Sequence, residues 1–235
     1  MTETLSMDEI RDRIVLAALA HVPFDGWCPA ALQAGARDAG FDASMAERAF
    51  LAGPAAAVEH FAALADRRLE AAAADDATLA GLGLTARIGR LVRLRLLPWA
   101  EHREAVRRAL SLLTLPSHAA RAAEIGWRTA DSLWFAAGDR SADFSYYTKR
   151  LSLAAVYSST LLFWLEDSSD GFADSWAFLD RRLTDFARLP RLQKQIGAQL
   201  QALPNPLTAL RQTVLGLGGR KNGPRRRFGV RAGSR

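Results

Sequence analysis

Apolar residues recur at three- and four-residue steps through most of the chain, and no run alternates apolar with polar positions as a strand requires. The pattern predicts an all-α fold. Ile10, Ile14, Ala17 and Ala18 share one face of a first helix, which Pro23 and Asp25-Gly26 end. A second helix is predicted from Pro29 to Asp38, with proline in its first turn. Past Gly40, a short third helix carries Met45, Ala46, Ala49 and Phe50, with Asp42 or Ser44 as its cap. Residues 54–80 are Ala-rich and helical, and Gly81 and Gly83 mark a soft boundary. A basic helix then begins near Thr85 and is limited by Pro98. Ile88, Leu91, Val92, Leu96 and Leu97 line one of its faces, and Arg87, Arg90, Arg93 and Arg95 surround it. The ordinary reading is a solvated arginine face, with a phosphate site as the alternative. Further helices are expected from about Glu101 to Leu115, Ser117 to Ala137, Asp143 to Leu165 and Phe172 to Arg188.

The stretch from Gly138 to Asp167 organises the rest. Gly138 fits a left-handed stop, and Ser141 or Asp143 can cap the helix that follows. Phe144, Tyr147, Leu151, Ala154, Ser158, Leu162 and Leu165 share one face of that helix. From Leu153 onward the opposite face is apolar too, with Val156, Phe163 and Trp164, so this half is expected to be buried all round. Leu151 to Leu165 carries no charge, but Ser158, Ser159 and Thr160 interrupt it and it falls short of the roughly 20 residues a membrane span needs. A core helix is the expectation. Ten aromatics, Trp127, Trp134, Phe135, Phe144, Tyr147, Phe163, Trp164, Phe172, Trp176 and Phe178, cluster around it, and core packing alone accounts for them.

Chemistry narrows the function classes. The sequence holds no G-x-S-x-G elbow, P-loop, G-x-G-x-x-G or H-E-x-x-H motif. None of His21, His60, His102 and His118 lies three residues after a glutamate, as a helical di-iron site requires. Cys28 is the only cysteine, so an intrachain disulfide and a thiolate cluster are excluded. Asp139, Asp143, Glu166 and Asp167 are read as helix-end charges rather than an acid/base set. No catalytic residue, metal or cofactor is assigned, and the acidic, amphipathic start has no character of a secretory signal or organelle presequence.

The first three helices form a helix-turn-helix candidate. Residues 1–60, however, carry nine acids against four arginines, and the third helix offers only Arg48 beside Glu47. Duplex binding rests on neutralising phosphates, so specific DNA binding is not expected. The formal charge of +6 belongs to the tail: residues 211–235 hold eight Lys or Arg and no acid. Before that tail, Leu192, Ile196, Leu200, Leu203, Leu207, Leu210, Val214 and Leu217 keep helical spacing around Pro204 and Pro206. Leu200, Leu203, Leu207, Leu210, Val214 and Leu217, followed by Arg220, Lys221, Arg225, Arg226 and Arg227, are the candidate contact with an anionic membrane surface. Packing of this stripe on the helical body or on a second subunit is the alternative.

The run AGD-R-S-x-DF-x-YYTKR, followed by L-x-x-VY-x-x-T-x-L-x-x-x-x-D and FLDRR, resembles the Coq-nine family of ubiquinone-biosynthesis accessory proteins. The likeness is densest over Asp131 to Arg182 and reaches upstream through TLPSHAARAAEIGWRTADSLW and DGWCPAALQAGARDAGF. It implies a TetR-like fold and a non-catalytic protein that presents isoprenoid quinone intermediates to the di-iron demethoxyubiquinone hydroxylase. The small residues Ala154, Ala155, Ser158 and Ser159, set among bulky ones, suit a lipid cavity. Its candidate lining is Trp134, Phe135, Leu151, Ala155, Val156, Ser158, Ser159, Leu162, Phe163 and Trp164. The family's DF-x-W-Y-T-x-R motif places a partner patch at Asp143, Tyr146, Tyr147 and Arg150, with Asp131 and Leu133 before it; Tyr146 stands where the family often has Trp. The implied layout is a helix-turn-helix-like unit over 1–53, a lipid-binding helical domain over 54–189, an amphipathic membrane-associating segment over 190–217 and a disordered basic tail over 218–235. The expected location is cytoplasmic, peripheral on the inner face of the membrane, with a homodimer compatible. A TetR-type ligand-responsive regulator is the alternative function, and a catalytic oxidoreductase comes third.

Overall fold

A computed structural model of the chain describes residues 5–138 and 145–185. The chain forms two units, Met1–Ala187 and Arg188–Arg235. The second lies outside the described residues, and with it the predicted amphipathic segment and basic tail. Asp139, Ser141, Asp143 and Phe144 also lie outside them, as does the side chain of Tyr146.

All the regular structure in the described residues is helical. α1 (Met7–Ala18) opens with a reciprocal cap: Glu9 N donates to Ser6 Oγ at 3.3 Å, and Ser6 N donates to the Glu9 carboxylate at 2.7 Å. Where a simple stop was expected at Pro23, the chain forms a one-turn helix, α2 (Val22–Asp25), because proline is accommodated in a first turn. α3 spans Pro29–Asp38 as predicted, and α4 (Ser44–Ala49) starts with Asp42 accepting from Ser44 N at 2.9 Å. α1 crosses α3 at Gly35, where an added Cβ would lie 2.7 Å from the Ala18 backbone, so only glycine permits the approach.

α5 (Pro54–Asp75) runs through the middle of the unit and packs against α1, α6 (Leu84–Leu96) and α8 (Ala119–Ala136). α7 (Arg103–Leu113) follows a 3₁₀ segment at Leu97–His102, and α9 (Ser145–Glu166) packs on α8. A further helix, α10, occupies residues 173–185. Trp27 bonds the Ala105 carbonyl at 2.9 Å, and its ring meets Phe61, which packs edge-on to Trp99 at 4.7 Å. This aromatic chain joins the N-terminal helices to α5 and α7. Asp12, shared by His60 and Arg67 at 2.6 Å each, ties α1 to α5.

The arginines of α6 are engaged within the protein, Arg90 while exposed to solvent and Arg87 and Arg93 while half-buried. Arg87 donates to the carbonyls of Leu79, Leu82 and Ala137, Arg90 pairs with Asp76, and Arg93 pairs with Asp180 on α10. Arg95 is buried, while Leu97, assigned to the apolar face, is 42% exposed. Helix register explains the exchange: Arg95 follows Ile88, Leu91 and Val92 at three- and four-residue steps and so falls on the core stripe. Gly138 adopts the predicted left-handed conformation, with φ 83°.

α9 departs from the expectation of burial all round. Arg150, Leu153, Tyr157, Thr160, Leu161, Trp164 and Leu165 face the core, whereas Tyr147, Leu151, Ala155, Ser158 and Leu162 are exposed. A helix apolar on both sides carries no periodic signal for which side meets its neighbours. No described helix is long and apolar enough to cross a membrane.

The turn from α9 to α10 is held by Asp167. Its buried carboxylate accepts from the backbone N–H and hydroxyl of both Ser169 and Ser175, which is the capping role read from the sequence. Burial pushes its pKa up, but these four hydrogen bonds prevail and hold it at about 2, below the ordinary 3.8. Its contribution to stability is therefore complete above about pH 4 and is lost as the pH falls through 2, amounting to about 2 kcal/mol. Asp167→Ala should lower unfolding free energy by about that amount at pH 7, and the deficit should shrink in urea titrations taken toward pH 2.

Candidate functional site

A cavity of about 260 Å³ lies among α5, α6, α7, α8 and α9. Helix propensity and spacing bring its walls together. α5 supplies Val58, Phe61, Ala62 and Ala65, α7 supplies Val106, Ala109, Leu110 and Leu113, and α9 contributes Tyr157, Leu161 and Trp164 from its core face. Gly126 of α8 also lines it, and a Cβ built there meets nothing within 4 Å. A side chain at this position would meet no neighbour. Thr114 and Ser158 are the exposed lining residues, so the cavity reaches the surface between α7, α8 and α9, and Phe61, Leu96, Trp99 and Trp164 form its buried end.

That buried end also carries a polar cluster. Arg95 Nε donates to Asp66 at 2.8 Å, Thr129 Oγ1 donates to the same carboxylate at 3.0 Å, and Arg95 reaches the Ala62 carbonyl at 3.3 Å. Asp66 is 3% exposed and Arg95 7%, so this is an ion pair withdrawn from water and completed by hydrogen bonds. Burial works against the Arg95 cation, yet the neighbouring Tyr157 and Asp66 prevail and raise its pKa. Burial pushes the Tyr157 phenol up, so it stays protonated. The Arg95 guanidinium lies 5.5 Å from the centre of the Tyr157 ring. Trp164 Nε1 is buried and has no hydrogen-bond partner among the described residues.

Of the candidate lipid-lining residues, Ser158 and Trp164 line the cavity. Trp134 is buried in the core. Phe135, Leu151, Ala155 and Leu162 lie on the exposed side, Val156 and Ser159 are half-buried, and Phe163 stacks on Phe178 at 4.8 Å. The other α9 candidates, Leu151, Ala155, Val156, Ser159, Leu162 and Phe163, do not line the cavity. Asp66, Gly126, Thr129 and Tyr157 carry no expectation from the sequence, and Arg95 only that of the arginine face, although the sequence marks several of them. Gly126 interrupts a helical pattern, and Asp66, Arg95 and Thr129 occupy apolar helix stripes.

The partner candidates separate as well. Arg150 is buried and pairs with Asp131, and Leu133 is fully buried, so it presents no surface to a partner. Tyr147 is 67% exposed and meets Trp127 ring to ring at 5.8 Å. Phe135 and Leu151 are similarly exposed. Asp143 lies outside the described residues, as do all the membrane candidates from Leu200 to Arg227. In the helix-turn-helix-like unit, Glu47 of α4 is bonded by Gln33 at 3.1 Å, and no group of His, Cys, Asp and Glu among the described residues could hold a metal ion.

A model of the COQ9 family matches residues 119–190, which include the walls that α8 and α9 give the cavity. The chain is 34% identical over 223 residues to the mitochondrial ubiquinone biosynthesis protein COQ9 of Rattus norvegicus, covering 91% of this chain and 70% of that protein. The corresponding protein of Homo sapiens is 33% identical, covering 91% and 69%, and that of Drosophila melanogaster 30%, covering 92% and 68%. Among solved structures, a TetR transcriptional regulator from Nitrosomonas europaea ATCC 19718 superposes with a TM-score of 0.61 at 22% identity, covering 76% of this chain and 98% of that one. The fold is TetR-like.

The Arg95–Asp66 pair gives a stability test. Asp66→Ala leaves a buried guanidinium without its carboxylate and should cost about 3–5 kcal/mol in urea unfolding. Replacing both residues together, Asp66→Leu with Arg95→Met, should recover most of that loss.

Proposed function

Because the chain belongs to the COQ9 family, we propose that it serves ubiquinone biosynthesis as a non-catalytic carrier, binding an isoprenoid lipid or quinone intermediate and presenting it to the di-iron demethoxyubiquinone hydroxylase. The observation that carries this reading is the largely apolar cavity between α7, α8 and α9, open at one end and lined where Gly126 leaves room. Pockets between bundle helices suit apolar ligands held by a few polar groups. The role at the membrane surface rests on the sequence of residues 192–227, where an apolar stripe runs into clustered cations. The expected site of action is the inner face of the membrane, reached from the cytoplasm. A DNA-responsive role is less well supported: residues 1–60 are net acidic, and Glu47 stands on the short helix that would have to meet the duplex.

Gly126→Leu tests the carrier reading. Leucine favours a helix over glycine and here projects into open space, so thermal stability should hold or rise. Lipid co-purifying with the protein, quantified by mass spectrometry after extraction, should fall at least about tenfold if the cavity is where it binds. Unchanged occupancy would place the lipid elsewhere, and a wild-type preparation free of lipid that also takes up none would end the reading.

For the partner, exposed Tyr147 is the anchor to probe. Tyr147→Ala should weaken binding to the hydroxylase by about 1–4 kcal/mol in calorimetry, with lipid occupancy unaltered.

A further inference from the structure

A second cleft, of about 320 Å³, opens between α1, the turn joining α4 to α5, and the helices α5 and α8. None of its residues lines the first cavity. Ala49, Phe50, Leu51, Ala52, Ala56 and Ala63 make up the apolar part of its wall, with Phe50 buried and Leu51 and Ala52 exposed at the rim. Arg11, Glu59, His60 and Arg128 make up the polar part. The side chains of Arg11 and Arg128 are 35% and 38% exposed, so both cations are open to solvent.

Charge pairing around the cleft leaves one of these cations over. Arg11 meets Asp8 at 2.9 Å, and Arg67 meets Asp12 at 2.6 Å, where His60 is bonded as well. Glu59 meets Arg121 at 3.1 Å, and Asp66 meets Arg95 at 2.8 Å. Arg128 approaches only carboxylates that already have a nearer arginine, Glu59 at 3.7 Å and Asp66 at 3.6 Å. Its Nε makes no hydrogen bond among the described residues, and its Nη2 donates to a neutral acceptor, the Glu59 backbone carbonyl, at 3.1 Å. With His60 neutral, five arginines thus stand against four carboxylates, a surplus of one positive charge. A half-buried guanidinium is less well screened than one in open water, so its excess charge attracts an anion more strongly.

We infer that this cleft is a second ligand site, that it takes a small monocarboxylate with an apolar body, and that Arg128 is the residue that selects for the charge. One negative charge restores the balance, and a dianion would exceed it. The guanidinium offers N–H donors in the fork geometry that a carboxylate matches. Phe50, Leu51 and the alanines of α5 give an aromatic or branched aliphatic body a wall to lie against. At about 320 Å³ the cleft is at the small end of ligand pockets, roughly 300–1,000 Å³, which suits a single ring rather than a long chain. The inference does not draw on the carrier reading, because the two spaces share no lining residue.

Benzoate, benzamide and inorganic phosphate separate the possibilities in equilibrium titrations of the full-length protein. Benzoate should bind at least about tenfold more tightly than benzamide, which has its shape without the charge, and than phosphate, which has charge without an apolar body. Arg128→Gln should weaken benzoate binding about tenfold and leave benzamide unchanged. Gly126→Leu, which adds bulk to the wall of the first cavity, should leave benzoate affinity at the wild-type value. Benzamide or phosphate binding as tightly as benzoate, benzoate binding untouched by Arg128→Gln, or an equal loss of benzoate and benzamide in that variant overturns the inference. So does loss of benzoate binding in Gly126→Leu, which would put the ligand in the first cavity, and so does failure of all three molecules to bind. The carrier reading is judged on lipid occupancy and is untouched by these outcomes. The wild-type ranking and the Gly126→Leu comparison need no change at Arg128, so the inference stays open to refutation even if Arg128→Gln does not fold.

Discussion

The structure turns on one buried ion pair. Asp66 of α5 and Arg95 of α6 meet at 2.8 Å with almost no exposure, and Thr129 of α8 completes the carboxylate. Three helices that could otherwise slide along smooth apolar faces are held in one register by directional bonds. Such a pair is a poor source of net stability, because desolvation cancels much of the Coulombic gain. What it provides is position. With α5, α6 and α8 set by these bonds, Tyr157 and Trp164 of α9 meet a fixed wall across the cavity.

Arginine does similar work at the helix ends. Arg87 takes up the carbonyl of Ala137 where α8 ends, and Arg103 and Arg107 of α7 donate to the carbonyls of Trp164, Leu165 and Asp167 at the end of α9. Terminal carbonyls of a helix lack partners within it and carry partial negative charge, so guanidinium groups serve them twice over. Much of the basic character of α6 and α7 is thus matched by partners within the protein. The phosphate alternative for α6 loses support for the same reason, since Arg87, Arg90, Arg93 and Arg95 each have partners within the protein.

The helices themselves were legible in the sequence to within a few residues. α3 matches its predicted span, Gly138 takes the left-handed conformation, and Asp42 and Asp167 cap as their positions suggested. Periodicity, prolines and caps are local signals, and local signals survive tertiary context. The family was legible from a run of motifs around α9, and its match covers that helix. The facing of α9 was not. Leu151, Leu162 and Phe163 are as apolar as Leu153, Leu161 and Trp164, and only the position of Arg95 and α8 decides between them. Composition identifies an element that prefers burial but cannot say which half is buried.

Site residues were harder to read for a related reason. A lipid cavity is usually sought among small and bulky apolar side chains, and that criterion selects the exposed stripe of α9. The cavity is better marked by residues that are wrong for a core: Arg95 and Thr129 on apolar stripes, both bonded to buried Asp66 behind them, and Gly126 within a helix. Each of these lowers stability if judged alone, since glycine weakens a helix and a buried charge costs desolvation. Their convergence on one space distinguishes them from scattered defects. Gly126 adds no side chain to the wall, and the Asp66–Arg95 pair stands at the buried end. The fold gives up packing at one place, and the place it does so is where a ligand can supply the missing contacts.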